Sequence, residues 1–242
     1  MNTRDVQAAL LSLGYSLTID GVAGPKTKTA VQAFQRGRGL AADGIVGPQT
    51  VKALQAAVAE KTEQKVELGV VPAGWMPAAR LERIIVHWTA GSHRASGLDR
   101  SHYHILIEAD GKLVRGTPSI AANGVGASGT RANHTLNCNT GSIGVALCCM
   151  AGAVESPFQA GSAPMTAAQW KALPPVLADL CRRYSIPATP KTVLSHAEVQ
   201  GTLGIKQRGK WDISRLAFDP TVVGARACGD IFRSETLRFH HS

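Results

Sequence analysis

Three side chains carry the strongest chemical signal in this sequence. His87 closes the β-branched run Arg83-Ile84-Ile85-Val86, His196 follows Val193-Leu194-Ser195, and Asp212 lies further on, after Lys210-Trp211. Two imidazoles and a carboxylate supply the N and O donors that a catalytic zinc ion takes from a protein, with a fourth position kept for water. An apolar strand ending in one polar side chain is a common way to present such a ligand. Spacing alone leaves the choice open. There are eight histidines, and a lone histidine at a strand end is more often a hydrogen-bonded structural residue. His102 or His104 could replace one of the pair, whereas His240 and His241 fall in a terminal tail.

The elements that must position these groups read as an α/β domain. Arg83 to Thr89 is a first strand, and His102 to Ile107 a second, closed by the Asp110-Gly111 turn into Lys112-Leu113-Val114. Ser142 to Leu147 is a third core strand, and Val193 to Ser195 another. A helix starts at Thr166, where Thr166 and Gln169 have capping-box spacing, and runs through Leu173, Leu177 and Leu180 towards Tyr184. Pro174-Pro175 is expected to break or kink it. Strands alternating with helices predict a central mixed β-sheet flanked by helices. His134 falls in a Gly/Ser/Asn-rich stretch, residues 119–141, suited to the rim of a cleft.

A small all-α domain precedes this one. Asp20-Gly21-Val22-Ala23-Gly24-Pro25-Lys26-Thr27 returns as Asp43-Gly44-Ile45-Val46-Gly47-Pro48-Gln49-Thr50. Each copy opens with a turn dipeptide and sets proline at a first helical position. Ala30, Val31 and Phe34 follow one copy at helical spacing, Ala53 and Leu54 the other, and Val6, Leu10 and Leu13 mark an earlier helix. Three short helices around one core are predicted. Residues 58–74 carry mixed charges and end near Pro72 and Gly74, so the expected organisation is a helical domain at 1–57, a linker at 58–74 and a larger domain at 75–242.

Composition narrows the function classes. A hydrophobic fraction of 44% with 18% charged residues is ordinary for a soluble globular chain. The net charge of +9 favours a polyanionic partner. The absence of a basic run or nucleic-acid motif argues against nucleic acid. The five cysteines are odd in number and form no CxxC pair, which reads as reduced thiols in a cytosolic product. The start of the chain leads into an amphipathic helix rather than a signal-peptide core, and no apolar run is long enough to span a membrane. Export must then depend on another protein.

The DGxxGPxT repeat resembles the peptidoglycan-binding domain that accompanies many cell-wall hydrolases, over about residues 4–57. The motifs IIVHWTAG, SHYHILIEADG, NTGSIGVAL, LSHAEV and KWD occur in the order of the zinc amidases related to peptidoglycan recognition proteins, over about residues 80–220. The resemblance implies that His87, His196 and Asp212 hold Zn2+. Some relatives carry cysteine at the last position, and aspartate keeps the centre hard. It implies cleavage of the amide between the lactyl group of N-acetylmuramic acid and L-alanine, with zinc polarising the carbonyl and activating a water. Lys210 matches a catalytic lysine and would stabilise the oxyanion; the alternative is a solvated loop lysine.

One position departs from part of the family. Cell-wall-recycling amidases carry a glutamate, taken as general base, where this chain has Ala146. Some phage amidases lack it and have a tyrosine followed by histidine, as in Tyr103-His104. Tyr103 is therefore the candidate to orient water or stabilise the transition state, unless its hydroxyl is structural. Glu198 either supports the ligands from behind or begins the next loop. His134 is a candidate contact for the stem peptide or the oxyanion, and Trp88 for the muramyl sugar, with core packing as its alternative. The combination implies a monomeric endolysin of a phage or prophage, held in the host cytoplasm until a holin opens the membrane. The alternatives are a cytosolic muropeptide-recycling amidase, which the N-terminal binder and Ala146 oppose, and a non-catalytic recognition protein, which the three retained ligands oppose.

Overall fold

The computed structural model describes residues 1–240, with side chains outside 61–68 and 240; His241 lies beyond them, and His240 closes the last helix. The chain divides into two compact units, Met1–Leu68 and Gly69 onward. In the first, helices α1 (Thr3–Ser12), α2 (Pro25–Gly37) and α3 (Pro48–Leu68) bury Val6, Leu10, Val31, Phe34, Leu54 and Ala57 in one core. Asn2 and Asp5 form a capping box on α1. Pro25 and Pro48 open the next two helices, where their missing N–H is not needed. α3 is longer than the three short helices predicted from sequence, and continues to Leu68.

The repeat has a physical explanation that its sequence conceals. Gln7 of α1 donates from Nε2 to Asp20 Oδ1 (2.7 Å), Val22 O (3.0 Å) and Thr27 Oγ1 (2.9 Å), while its Oε1 accepts from Gly21 N (2.8 Å). Gln35 of α2 repeats this on the second copy, with Asp43, Ile45 O, Thr50 and Gly44 N. Gly21 and Gly44 have φ of +80° and +78°, the left-handed turn that glycine adopts at least cost. Both loops are thereby pinned from inside, with Val22 and Ile45 exposed at equivalent positions.

The second unit is built on a five-stranded mixed sheet of β1 (Arg83–Trp88), β2 (Ile105–Ile107), β3 (Leu113–Arg115), β4 (Ser142–Leu147) and β5 (Val193–Ser195), ordered β3-β2-β4-β1-β5. Only the β2–β3 hairpin is antiparallel. The predicted second strand is shorter than expected. Ser96 and Asp99 form a capping box that starts helix α4 (Gly97–His102), so His102 is helical and the strand begins at Ile105. Helix α5 (Ala167–Tyr184) begins at the predicted Thr166 cap and runs unbroken through Pro174 and Pro175. Leu173, Val176, Leu177 and Leu180 are buried in the main core, and that packing offsets the two missing donors.

Strand alternation sorts the sheet into two faces. Ile84, Val86 and Trp88, with Ile105, Ile107, Ile143, Val145, Leu147 and Val193, share the main core with α5 and with helix α7 (Ala225–His240). The β6–β7 hairpin (Arg215–Leu216 and Asp219–Val223) and α7 have no counterpart in the sequence reading. The other face carries Ile85, Leu194 and His87. Ile85 and Leu194 pack on Val199 of α6 (His196–Leu203).

Glu198 neither supports a ligand directly nor begins a loop. It caps α6 through Ser195 N (2.8 Å) and makes a two-pronged ion pair with Arg233 of α7 (3.0 and 2.9 Å), both residues being buried. Removing one member of a buried pair strands the other charge. Arg233→Met is expected to destabilise the protein by about 3–5 kcal/mol in urea unfolding, with Arg233→Met/Glu198→Gln recovering part of that loss. A single substitution costing under about 1 kcal/mol would show that the pair does not anchor α6.

Candidate metal centre

Two strand ends and one loop build the centre. His87 sits near the end of β1, in register with Ala146 of β4, and is fully buried. His196 is the first residue of α6, capped by Ser195 directly after β5. Parallel pairing of β1 with β5 sets these two strand ends side by side, with ring centroids 4.7 Å apart. Asp212 is carried in by the loop after α6, where Ala197 N donates to its backbone carbonyl (2.7 Å). Its Oδ2 lies 3.1 Å from His87 Nδ1 and 3.2 Å from His196 Nδ1. One ligand atom from each of the three residues falls within 4.8 Å of the others, and no second such group exists among the described residues.

The outer hydrogen bonds determine what the inner nitrogens can do. Gln207 Nε2 donates to Leu136 O (3.0 Å) and Ile205 O (3.3 Å), which turns its Oε1 towards His196. A flipped amide would set that oxygen against two carbonyls. His196 Nε2–H therefore donates to Gln207 Oε1 (3.0 Å) and leaves Nδ1 with its lone pair facing Asp212. Behind His87, the Thr135 hydroxyl donates to His134 Nδ1 (2.8 Å), which also lies 3.2 Å from His87 Nε2, while His134 Nε2–H points at Ser142 O (3.4 Å). His87 Nε2 is then the protonated nitrogen, and its Nδ1 is free on the Asp212 side. Two imidazole lone pairs and a carboxylate oxygen converge, an arrangement that a cation stabilises and that fits an N, N, O metal site.

The electrostatics favour a neutral His87 beside an ionised Asp212. Burial, helped by the charges of His196 and Lys210 and opposed by Asp212, pushes His87 down to about 4. Burial tends to raise Asp212, but its contacts with His196 and His87 outweigh that and hold the carboxyl below its ordinary value. An imidazole held unprotonated near neutral pH, as that of His87 is, need lose no proton to bind a metal.

The remaining sequence candidates fall into distinct places. Tyr103 caps α4 in an extended conformation, its ring 5.2 Å from that of His87, and burial raises its hydroxyl well above the ordinary tyrosine value. Lys210 is exposed, two residues before Asp212. His134, expected at a cleft rim, is 6% exposed and lies against His87. Trp88, weighed as a sugar contact, follows His87 in the strand and so points to the opposite face, where its ring packs edge-on against Trp211 at 4.6 Å. His102 is turned to Leu98 O (2.9 Å), and His104 Nδ1 accepts from Gly144 N (2.9 Å), so neither joins the ligand atoms.

Three supporting residues escape sequence reasoning altogether: Thr135, Gln207 and Gly144. A Cβ on Gly144 would come within 2.6 Å of the His134 ring, so glycine in SIGVAL makes room for the imidazole behind the ligand. A glycine inside a strand is the only advance sign of such close approach. A glutamine in a loop gives none.

Burial also pushes His104 down to about 4 and His134 well below the ordinary 6.5. The folded state thus binds fewer protons than the unfolded state between pH 6.5 and 4, and stability falls as pH drops through that window. Each of the three histidines can add up to about 1.4 kcal/mol per pH unit there. Urea unfolding of the metal-free protein at pH 7 and pH 4.5 should show the loss; equal midpoints would contradict neutral burial.

Two family models match the chain. One, described as a peptidoglycan binding domain, covers residues 2–54. The other, described as N-acetylmuramoyl-L-alanine amidase, covers residues 77–212, more than half of the chain. No curated protein matches. Among solved structures, the N-acetylmuramyl-L-alanine amidase AmiD from E. coli, in complex with the substrate anhydro-N-acetylmuramic acid-L-Ala-D-gamma-Glu-L-Lys, is 24% identical with a TM-score of 0.35. That match covers 50% of each chain, so this chain spans about half the length of that relative. The Ph2119 endolysin from a Thermus scotoductus bacteriophage is 16% identical with a TM-score of 0.38, over 66% of this chain and 88% of that one. The endolysin LysCS from Clostridium intestinale is 17% identical with a TM-score of 0.34, over 55% and 91%.

Proposed function

This chain belongs to the N-acetylmuramoyl-L-alanine amidase family, and from that membership we propose that it is a zinc-dependent hydrolase of the muramyl–L-alanine amide in peptidoglycan. The observation that carries the reading is the convergence of His87 Nδ1, His196 Nδ1 and Asp212 Oδ2 in a site whose outer hydrogen bonds leave both imidazole lone pairs facing inward. Zinc bound there would polarise the scissile carbonyl and activate the attacking water.

The chain's own residues have defined tasks in this reading. Lys210, whose charge is felt at His87, stabilises the oxyanion as the carbonyl is attacked. Tyr103 stays protonated at neutral pH and donates its hydroxyl proton in a hydrogen bond to the oxyanion or to the water. Ala146 faces His87 across the β1–β4 register, so that strand offers no carboxylate, and proton handling falls to Tyr103 and Lys210. His134 is buried behind His87 and Trp88 in the core against Trp211, so neither is assigned a substrate contact in this reading.

The N-terminal unit, matched by the peptidoglycan binding model, would hold the enzyme on the wall, with Val22 and Ile45 the exposed apolar groups of its two pinned loops. A net charge of +9 favours adsorption to an anionic envelope. A wall binder joined to an amidase favours a lytic role on intact peptidoglycan, as in a monomeric phage or prophage endolysin released through a holin. All five cysteines are free and buried, and among the described residues no helix is long and apolar enough to cross a membrane.

Mass spectrometry of digested sacculi identifies the bond directly. The expected products are muramyl lactyl carboxylates and new L-alanine amino termini; reducing sugar ends or cut cross-links would overturn the assignment. Asp212→Ala should lose zinc and activity while still sedimenting with sacculi. Tyr103→Phe and Lys210→Ala should keep zinc and lose turnover by about 10²-fold or more. Full activity in Asp212→Ala would remove it from the metal centre.

A further inference from the structure

Both metal-facing imidazoles are held from behind by one short segment. His134 and Thr135 engage His87 Nε2 at 3.2 and 3.4 Å. The carbonyl of the next residue, Leu136, accepts from Gln207, whose Oε1 lies 3.0 Å from His196 Nε2. We propose that Gln207 is a positioning residue for His196, fixing the imidazole as its Nε2–H tautomer so that Nδ1 is free to ligate the metal, and tying it through Leu136 to the segment that holds His87.

The geometry leaves the amide little freedom. Gln207 is 6% exposed, its Nε2 is committed to Leu136 O and Ile205 O, and its backbone N donates to Gln200 Oε1 (2.8 Å). Its side-chain oxygen is thus presented to one partner, His196. That imidazole has two rival acceptors for a single proton: Gln207 Oε1 on the Nε2 side and Asp212 Oδ2 on the Nδ1 side, at 3.0 and 3.2 Å. A proton on Nδ1 would occupy the position from which the lone pair must reach a cation. Gln207 decides the competition in favour of metal binding. An amide does so without a second negative charge beside Asp212, so a divalent ion bound there would keep net positive charge to polarise a carbonyl.

The inference rests on the metal-centre reading above, and its test separates the two. Long-range 1H–15N NMR of the histidine rings, recorded on the zinc-free protein at pH 8, reports the tautomer of His196. Nε2–H is expected in the wild type and Nδ1–H, donated to Asp212, in Gln207→Met. Zinc affinity from chelator competition should fall by about 10- to 100-fold in Gln207→Met, the usual effect of losing an outer partner of a metal ligand. The inference is overturned if Gln207→Met keeps the wild-type tautomer, or if it switches the tautomer while zinc affinity stays unchanged. A wild type that takes up no zinc would overturn the metal centre, while the zinc-free tautomers would still decide the role of Gln207.

Discussion

A buried imidazole can offer a lone pair to a cation only if its other nitrogen carries the proton and has somewhere to donate it. That constraint organises the centre of this protein. It accounts for His134 behind His87, for the hydroxyl of Thr135 on His134, and for the amide of Gln207 against His196. It extends a further layer outward. Asn139 Oδ1 accepts from the backbone N of both His134 and Thr135 (3.1 and 2.8 Å), and Asn123 clamps Ala132 and Asn139. The Gly/Ser/Asn-rich stretch is therefore, along its C-terminal part, a frame that holds His134 against His87, where loop composition suggested only a rim.

Glutamine recurs at four places where backbone segments are joined without burying charge. Gln7 and Gln35 pin the repeat loops, Gln169 links the start of α5 to Ile107 O and Cys148 O (3.0 and 2.8 Å), and Gln207 links a ligand to Leu136. All four are buried. An amide carries donors and an acceptor on one planar group, so it can satisfy opposed backbone partners at once. A carboxylate in the same place would lack the donors and carry a desolvation cost. A buried ion pair, Glu198 with Arg233, instead joins α6 to α7, where the two charges match.

The rigid parts and the adaptable parts of the centre come from different kinds of element. His87 and His196 are set by strand pairing and a helix start, where register leaves no freedom to slide. Tyr103, Lys210 and Asp212 arrive on a helix end and on the loop after α6. Two of the three candidate metal-binding side chains are thus set by sheet and helix geometry, and the third by a loop that Ala197 N holds at Asp212 O.

What the sequence determined by itself was the set of local patterns. Alternating β-branched runs marked β1, β4 and β5, the Thr166 cap marked the start of α5, and the Asp-Gly-Pro repeat marked the helical unit. These are legible because period, cap and turn preferences act over a few residues. The ordered motifs also singled out His87, His196 and Asp212, although 125 residues separate the first from the last. Only the tertiary structure decided which face each side chain occupies and what stands behind it. Trp88 goes to the core and His87 to the centre because neighbouring strand residues point opposite ways once the sheet is packed. Pro174 and Pro175 stay helical because core packing outweighs two lost hydrogen bonds. Gln207 and Thr135 acquire their tasks through partners 71 and 48 residues away. Such tasks arise from contacts between distant segments, and an isolated residue type in a loop carries no trace of them.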